Sequence, residues 1–253
     1  MFTKGQRLFI ILGGIFITNA LIAEFIGVKI FSIEQTLGLA PFNWSLMGIE
    51  GSLSFTAGVM LWPFVFILSD IVNEYFGKKG VRLLSYLTAA LLAYAFLMVY
   101  GAISLSPAGW WVASKADSGV PDMQMAFAGI FGQGNWIIIG SLTAFLIGQI
   151  IDVSVFHFLR KYTGSSRIWV RATGSTLVSQ LIDSFVVLYI AFVLPGAWSF
   201  NQFLAIGIVN YVYKVTAAVV LTPLLYVIHG IIDRYLGKEL SEEMIREAAA
   251  SRV

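Results

Sequence analysis

Asp183 and Lys214 are the two charges in this 253-residue chain whose positions most clearly predict a shared site. Asp183 lies twelve residues before the turn at Pro195. Lys214 lies thirteen residues after Asn201, on the other side of that turn. Two antiparallel helices would therefore hold both side chains at one level, where a lone charge in an apolar interior is costly, so we expect them to pair. The pair can act as a structural bridge or as part of a polar binding site.

Four further polar residues extend this patch. Gln180 precedes Asp183 by three residues, and Asn210 precedes Lys214 by four, so each lies one helical turn away. Gln149 and Asp152 share a face of the preceding apolar segment. Amide and carboxylate groups together can bind both the donors and the acceptors of a small polar solute. Asp152 can instead belong to a gate of acidic and basic residues.

A second cluster lies earlier in the chain. Asp70, Asn73 and Glu74 fall at i, i+3 and i+4, and Phe66 is one turn before Asp70. A face that combines an aromatic ring with carboxylates can stack on a planar solute and accept hydrogen bonds from its edge. The alternative is that Asp70 and Glu74 simply pair with nearby basic residues such as Lys78.

The composition indicates that these polar residues are placed by helices in a membrane. Hydrophobic residues make up 58% of the chain and charged residues only 12%, with a mean hydropathy of +0.83. A soluble domain carries about 25% charged residues, so the outer surface of this chain must face lipid. The chain has no cysteine, which excludes disulfides and thiolate metal sites.

Hydropathy predicts an all-α membrane protein with a transmembrane domain at 1–236 and a solvated tail at 237–253. A membrane span needs about 20 apolar residues, and the first segment is read as such a span because no signal cleavage site follows it. Residues 35–52 are expected to form a short interfacial or re-entrant piece, and 121–131 a short surface helix. Six segments meet the length requirement: 8–31, 53–76, 81–105, 136–160, 171–194 and 202–232.

The distribution of basic residues predicts the orientation. Of the 16 Lys and Arg residues, only Lys29 and Lys115 fall on the outer side of a six-helix arrangement, and Lys214 lies inside a helix. The positive-inside rule then places both termini in the cytoplasm. The remaining basic residues share that side: Lys4, Arg7, Lys78, Lys79, Arg82, Arg160, Lys161, Arg167, Arg171, Arg234, Lys238, Arg246 and Arg252.

The sequence contains none of the common catalytic or phosphate-binding motifs. It lacks G-x-x-x-x-G-K-[ST], H-E-x-x-H and G-x-S-x-G, and no soluble segment is long enough for an ATPase. An intramembrane enzyme would need Asp152 and Asp183 as a carboxylate pair, but the glycine-rich setting usual for such pairs is missing. We therefore expect no enzyme activity, no metal and no cofactor.

Several sequence blocks resemble one known family. The string WPFVFILSDIVNEYFGKKGVR at 62–82 resembles the P-x-x-F-x-x-x-D-x-x-N-E-x-[YF]-G-K-K signature of the queuosine precursor transporters, also called vitamin uptake transporters. Residues 141–192 are similar to the second and third signature blocks of that family. The stretch NYVYK, ending at Lys214, is similar to its last-helix motif.

This resemblance implies six helices in a bacterial inner membrane. It also implies import of a 7-deazaguanine, either 7-cyano- or 7-aminomethyl-7-deazaguanine, which is salvaged to make the queuosine of transfer RNA. The expected partners are this base and the lipid bilayer, with no nucleic acid. The small residues Gly13, Gly14, Ala217 and Ala218 would suit a homodimer. The alternative is a solute-binding membrane subunit of a multi-chain uptake system that is driven by a separate ATPase.

Overall fold

The structure is a computed structural model that describes residues 2–163 and 167–250. Within these ranges, five helical stretches are long and apolar enough to cross a membrane. The protein is thus an all-α, multi-pass membrane protein, as predicted. The five stretches are Lys4–Ile26, Trp62–Ser104, Met123–Thr163, Ile168–Val193 and Phe200–Leu236.

The described residues form α-helices joined by short irregular segments. The helices are α1 (Lys4–Ile26), α2 (Ile33–Thr36), α3 (Trp62–Ser104), α4 (Gly109–Val112), α5 (Met123–Phe131), α6 (Asn135–Thr163), α7 (Ile168–Leu188), α8 (Phe200–Leu236) and α9 (Lys238–Ala250). A wider π-helical turn, Tyr189–Val193, continues α7. Four short strands are β1 (Ile30–Ser32), β2 (Trp44–Leu46), β3 (Ile49–Gly51) and β4 (Ser54–Thr56).

The segment between α1 and α3 departs from the sequence prediction. Strands β1 and β4 pair antiparallel where the predicted helices 8–31 and 53–76 were expected to extend, and the second helix begins only at Trp62. Hydropathy cannot separate a short apolar strand from a helix end. The ring of Phe55 in β4 packs 4.5 Å from that of Tyr213, which ties the strand pair to α8.

Residues 35–52, expected to be an interfacial or re-entrant piece, contain the β2–β3 hairpin. Met47 and Gly48 both have positive φ, 54° and 78°. This is the turn geometry that suits the twist of a two-residue hairpin. The hairpin, β1 and β4 all lie at one end of the helices, which we call the loop end.

Gly77 interrupts α3 and divides it into a first arm, 62–76, and a second arm, 78–104. Its backbone has φ 65° and ψ −168°, a conformation that is open to glycine and strained for residues with a Cβ atom. Sequence hydropathy predicted two segments here, 53–76 and 81–105, with a connection of several residues. The structure makes the connection at this single glycine.

Two serines show that the chain reverses direction at Gly77. Ser69 and Ser85 lie eight residues before and after it, and a straight helix would hold them roughly 24 Å apart. Instead, both hydroxyls donate to the same atom, Gln149 Oε1, at 2.8 and 3.4 Å. The two arms therefore run side by side along α6.

Small residues set the close contacts between helices. Gly13 of α1 packs on Leu84 of α3, where an added Cβ would lie 2.9 Å from a Leu84 methyl group. Gly207 of α8 packs in the same way on the ring of Phe185 in α7. Gly13 thus faces the inside of the chain, whereas its neighbour Gly14 is exposed.

The described part of the tail, which was expected to be solvated, forms a packed helix at Lys238–Ala250. Leu240, Met244 and Ile245 of α9 pack against the main hydrophobic core. Ser241 Oγ donates to Asp233, and Arg160 Nη2 donates to the Ile245 carbonyl at 2.9 Å. Apolar residues four and five positions apart give α9 one apolar face. This helix, Gly77 and the start of α1 lie at the end of the helices opposite the loop end, which we call the basic end.

Candidate functional site

A cavity lies between the first arm of α3, α7 and α8. The cavity has a volume of about 40 Å³, which is room for a few waters. Apolar residues form most of its wall, including the rings of Trp62 and Phe66. Six polar residues also line it: Asp70, Thr173, Thr176, Gln180, Lys214 and Thr222.

Asp70 is a cavity residue with an unsatisfied polar atom. It is 3% exposed, and its Oδ1 atom has no hydrogen-bond partner among the described residues. A buried carboxylate without a hydrogen bond carries a large free-energy penalty. A ligand that brings two N–H groups to this carboxylate would remove that penalty.

Gln180 contributes a free donor from α7. Its Nε2 atom is buried and has no acceptor among the described residues. Thr176 lies one turn earlier on the same wall. The cavity therefore presents an unused acceptor on α3 and an unused donor on α7, a combination that suits a solute with both kinds of group.

Trp62 and Phe66 lie one turn apart on the first arm, next to Asp70. Phe66 is 5% exposed, and Trp62 packs against Phe145 of α6 at 5.8 Å between ring centroids. This contact fixes the indole ring against α6. Two rings beside a carboxylate can stack on a planar molecule whose edge is held by hydrogen bonds.

The predicted pair of Asp183 and Lys214 is present. Lys214 Nζ lies 2.5 Å from Asp183 Oδ2, and the two side chains are 15% and 17% exposed. Lys214 lines the cavity, whereas Asp183 does not. Asp183 neutralises the charge of the Lys214 ammonium and occupies one of its three N–H donors. Two N–H donors of Lys214 therefore remain for other partners.

Four of the predicted site residues form buried contacts behind the cavity. Gln149 accepts from the two serines described above, and Asp152 Oδ1 accepts from Ser179 Oγ at 3.2 Å. Asn73 Oδ1 lies 2.8 Å from His157 Nε2. The fourth, Glu74, pairs with Arg171. These residues hold α3, α6 and α7 together.

Asn210 is half-buried on α8, one turn before Lys214. It lies outside the residues that line the cavity. The structure thus brings together Phe66, Asp70, Gln180 and Lys214 of the predicted site residues in one cavity wall.

Arg171 is a residue that the sequence reasoning misplaced. We grouped it with the basic residues of the cytoplasmic side, but it is fully buried. Its Nη2 and Nε atoms donate to Glu74 at 2.6 and 3.2 Å, and its guanidinium lies 5.5 Å from the centre of the Phe156 ring. Glu74 thus pairs with Arg171, and with Arg160 at 3.6 Å, instead of with Lys78. An Arg within the first turn of an apolar helix was the available signal.

Trp62 and the three cavity threonines were not among the predicted site residues. Thr176 precedes Gln180 by four positions, so helical spacing alone could have included it. Thr173 and Thr222 approach each other to 3.3 Å between hydroxyl oxygens. That contact between α7 and α8 cannot be read from spacing within either helix.

Residues 56–228 match the family model described as putative vitamin uptake transporter. The chain belongs to this family. The match includes both arms of α3 and every residue that lines the cavity. None of the solved structures matches the chain.

Three curated proteins are similar over most of their length. A protein of Bacillus subtilis (strain 168) named "Probable queuosine precursor transporter" is 30% identical over 69% of this chain and 71% of its own. The "Queuosine precursor transporter" of Escherichia coli (strain K12) is 30% identical over 74% and 77%. A "Probable queuosine precursor transporter" of Haemophilus influenzae is 25% identical over 87% and 91%.

Proposed function

We propose that this protein imports a queuosine precursor, 7-cyano- or 7-aminomethyl-7-deazaguanine, across the bacterial inner membrane. The names of its relatives and its family support transport of this class of solute. The observation that carries the proposal is the unpartnered Asp70 Oδ1 atom beside aromatic rings, with the free Gln180 Nε2 donor in the same cavity.

The chemistry of the base fits these groups. The edge of a deazaguanine offers an N1–H and an exocyclic amine, which one carboxylate can accept together. Asp70 would take this role. The O6 atom of the base is an acceptor and would take a donor from Gln180 or Lys214. Trp62 and Phe66 would stack on the bicyclic ring.

The other predicted residues would act through these contacts. Asp183 would hold the Lys214 ammonium in place, and Asn210 would extend the polar wall of α8 when the cavity opens. Gln149, Asp152, Asn73 and Glu74 would fix the helices that carry the binding groups. The cavity must widen to take a bicyclic base, since it has room for only a few waters.

We also propose six membrane segments with both termini in the cytoplasm. The reversal at Gly77 supports counting the two arms of α3 as separate crossings. The start of α1 and the packed tail α9 then lie at the same, basic end. The concentration of Lys and Arg at that end supports a cytoplasmic location.

Binding to the detergent-purified protein tests the substrate and the site together. The three bases compared are 7-cyano-7-deazaguanine, 7-aminomethyl-7-deazaguanine and guanine. We expect one of the two deazaguanines, and not guanine, to give the largest thermal stabilisation, roughly 2.7 kcal/mol at 100 times its Kd. Asp70→Asn should weaken binding roughly 10- to 100-fold, because it removes charge-assisted hydrogen bonds. Asp117→Asn, in the exposed 3₁₀ turn Ala116–Ser118, is the matched control. A folded protein that responds to none of the bases would overturn the proposal.

Uptake into liposomes that contain this chain alone tests transport. We expect counterflow of labelled base with the wild type and none with Asp70→Asn. Binding without any uptake would instead favour the solute-binding subunit that needs a separate ATPase.

A further inference from the structure

A small cleft lies between the second arm of α3 and α6, and it shares no lining residue with the cavity. Its volume is about 10 Å³, which is room for one water-sized group. Tyr86 and Ile150 of its wall are 55% and 42% exposed, so the cleft is on a lipid-facing surface. Val81, Leu146 and Val153 make the rest of this wall largely apolar.

One polar residue of the cleft has an unused hydrogen-bond donor. Gln149 is 1% exposed, and its Oε1 atom accepts from the two serines on either side of Gly77. Its Nε2 atom is buried and has no acceptor among the residues that the structure describes. A buried amide N–H without an acceptor costs free energy. An oxygen atom that enters the cleft would remove this cost.

Arg82 supplies a free positive charge at the same cleft. It lines the cleft, it is exposed, and it forms no ion pair with a described carboxylate. Lys79, three residues earlier on the same helical face, is exposed as well. An arginine guanidinium can bind a phosphate group through two parallel N–H donors. Basic pockets between transmembrane helices bind anionic lipid head groups in this way.

The two polar groups follow the order of the polar parts of a phospholipid. Arg82 precedes Ser85 by three residues, about 4.5 Å along the helix, and Ser85 Oγ lies 3.4 Å from the Gln149 amide. Counted from the basic end, the amide is therefore deeper in the membrane than Arg82. In a phospholipid, the ester carbonyls likewise lie deeper than the phosphate. A free phosphate ion at Arg82 would leave the deeper amide and the apolar wall uncovered.

We propose that this cleft binds an anionic phospholipid, with its phosphate at Arg82 and one ester carbonyl accepting from Gln149 Nε2. The acyl chains lie along Tyr86 and Ile150. Because Gln149 also contacts both arms of α3, the bound lipid stabilises the packing of α6 against the reversal at Gly77. This inference does not depend on which base the cavity binds.

Native mass spectrometry of the detergent-purified protein, titrated with defined lipids, tests the site. We expect one phosphatidylglycerol to bind about tenfold more tightly than phosphatidylcholine, because its head group carries a net negative charge. Arg82→Gln should weaken the binding of phosphatidylglycerol about tenfold. Arg234→Gln, which removes an exposed arginine of α8 at the same end, is the matched control and should bind within about twofold of the wild type. Equal binding by the two variants would overturn the proposal.

The contact with the ester carbonyl has a test of its own that uses the wild-type protein. Ether-linked phosphatidylglycerol has the same head group but no carbonyl oxygens, so it should bind roughly 2- to 10-fold more weakly than the ester-linked lipid. Gln149→Leu should bind both lipids equally. Equal binding of the two lipids by the wild type would overturn the assignment of Gln149, whether or not Gln149→Leu folds.

Other occupants of the cleft would give different results in the same spectra. A free phosphate site would appear as displacement of the lipid by millimolar inorganic phosphate. A second copy of the chain over the cleft would appear as a dimer that carries no lipid. Either result would overturn the proposal, whereas a monomer or dimer that retains one anionic lipid per chain, lost in Arg82→Gln, supports it.

Discussion

Glu74 and Arg171, 97 positions apart in the chain, form a two-contact ion pair in the interior of the protein. Arg171 is fully buried and Glu74 is 1% exposed. The pair joins the first arm of α3 to α7, two of the three elements that form the cavity. Removing one member of a buried pair leaves the other as an uncompensated charge.

We therefore expect Arg171→Gln to lower the free energy of unfolding by about 3–5 kcal/mol. Thermal unfolding in detergent, followed by size-exclusion, measures this loss. Lys79→Gln, at an exposed neighbouring site, should change stability by less than about 0.5 kcal/mol. Equal stability of the two variants would mean that the pair contributes little to the fold.

Gly77→Ala should destabilise the protein by about 1–3 kcal/mol, because the new Cβ atom must occupy a strained backbone conformation. Gly101→Ala in the second arm is the matched control, since nothing lies within 4 Å of an added Cβ there. It should be neutral or stabilising by up to about 1 kcal/mol, from helix propensity. The same thermal measurement compares both variants, and a neutral Gly77→Ala would refute the tight reversal.

Asp183→Asn and Lys214→Met should differ in their effects on base binding. Lys214 lines the cavity, so its loss should weaken binding roughly tenfold, whereas loss of Asp183 leaves the ammonium in place. The double variant removes both charges and should fold without binding the base tightly. Calorimetry of the three variants checks this. Intact uptake by the double variant would reduce the pair to a structural bridge.

Glu34 should make the loop end sensitive to acid. The Leu53 N–H, followed by the Ser32 hydroxyl, lowers the pKa of this carboxyl from 4.5 to about 2. A depressed folded-state pKa contributes stability that is present above pH 4.5 and is lost as the pH falls through about 2. Hydrogen exchange of residues 30–56, corrected for intrinsic rates, should show protection that falls over this window.

Glu34→Gln should remove this pH dependence and lower protection at neutral pH. Glu50→Gln, an exposed carboxyl in the same hairpin region, should leave the profile unchanged. The explanation is ruled out if the wild type and Glu34→Gln show the same protection between pH 5 and pH 2.

Sequence reasoning succeeded where the information lies within one helix or within two helices joined by one turn. Spacing from a turn predicted the Asp183–Lys214 pair, and hydropathy predicted the helices. It failed where partners come from distant segments. Arg171 was grouped with the cytoplasmic basic residues, because its partner Glu74 is on another helix and spacing within one helix does not reveal the pair. β1 and β4 looked like helix ends because an apolar strand and an apolar helix end have the same hydropathy.

The cavity itself could be predicted only in part. Asp70 and Phe66 were candidates from their spacing, but so were Gln149 and Asp152, which the structure places behind the wall. Which face of α6 meets α3 depends on the reversal at Gly77. The sequence shows a glycine at position 77, but it does not show that the backbone of Gly77 adopts this conformation.

The single-residue connection at Gly77 has a consequence for how the protein can move. The first arm carries Trp62, Phe66 and Asp70, and it is joined to the second arm without a linker. The first arm therefore cannot slide along its own axis independently of the second arm. At this connection, relative motion of the two arms reduces to rotation about the φ and ψ angles of one residue, so Gly77 is the hinge about which that side of the cavity would swing.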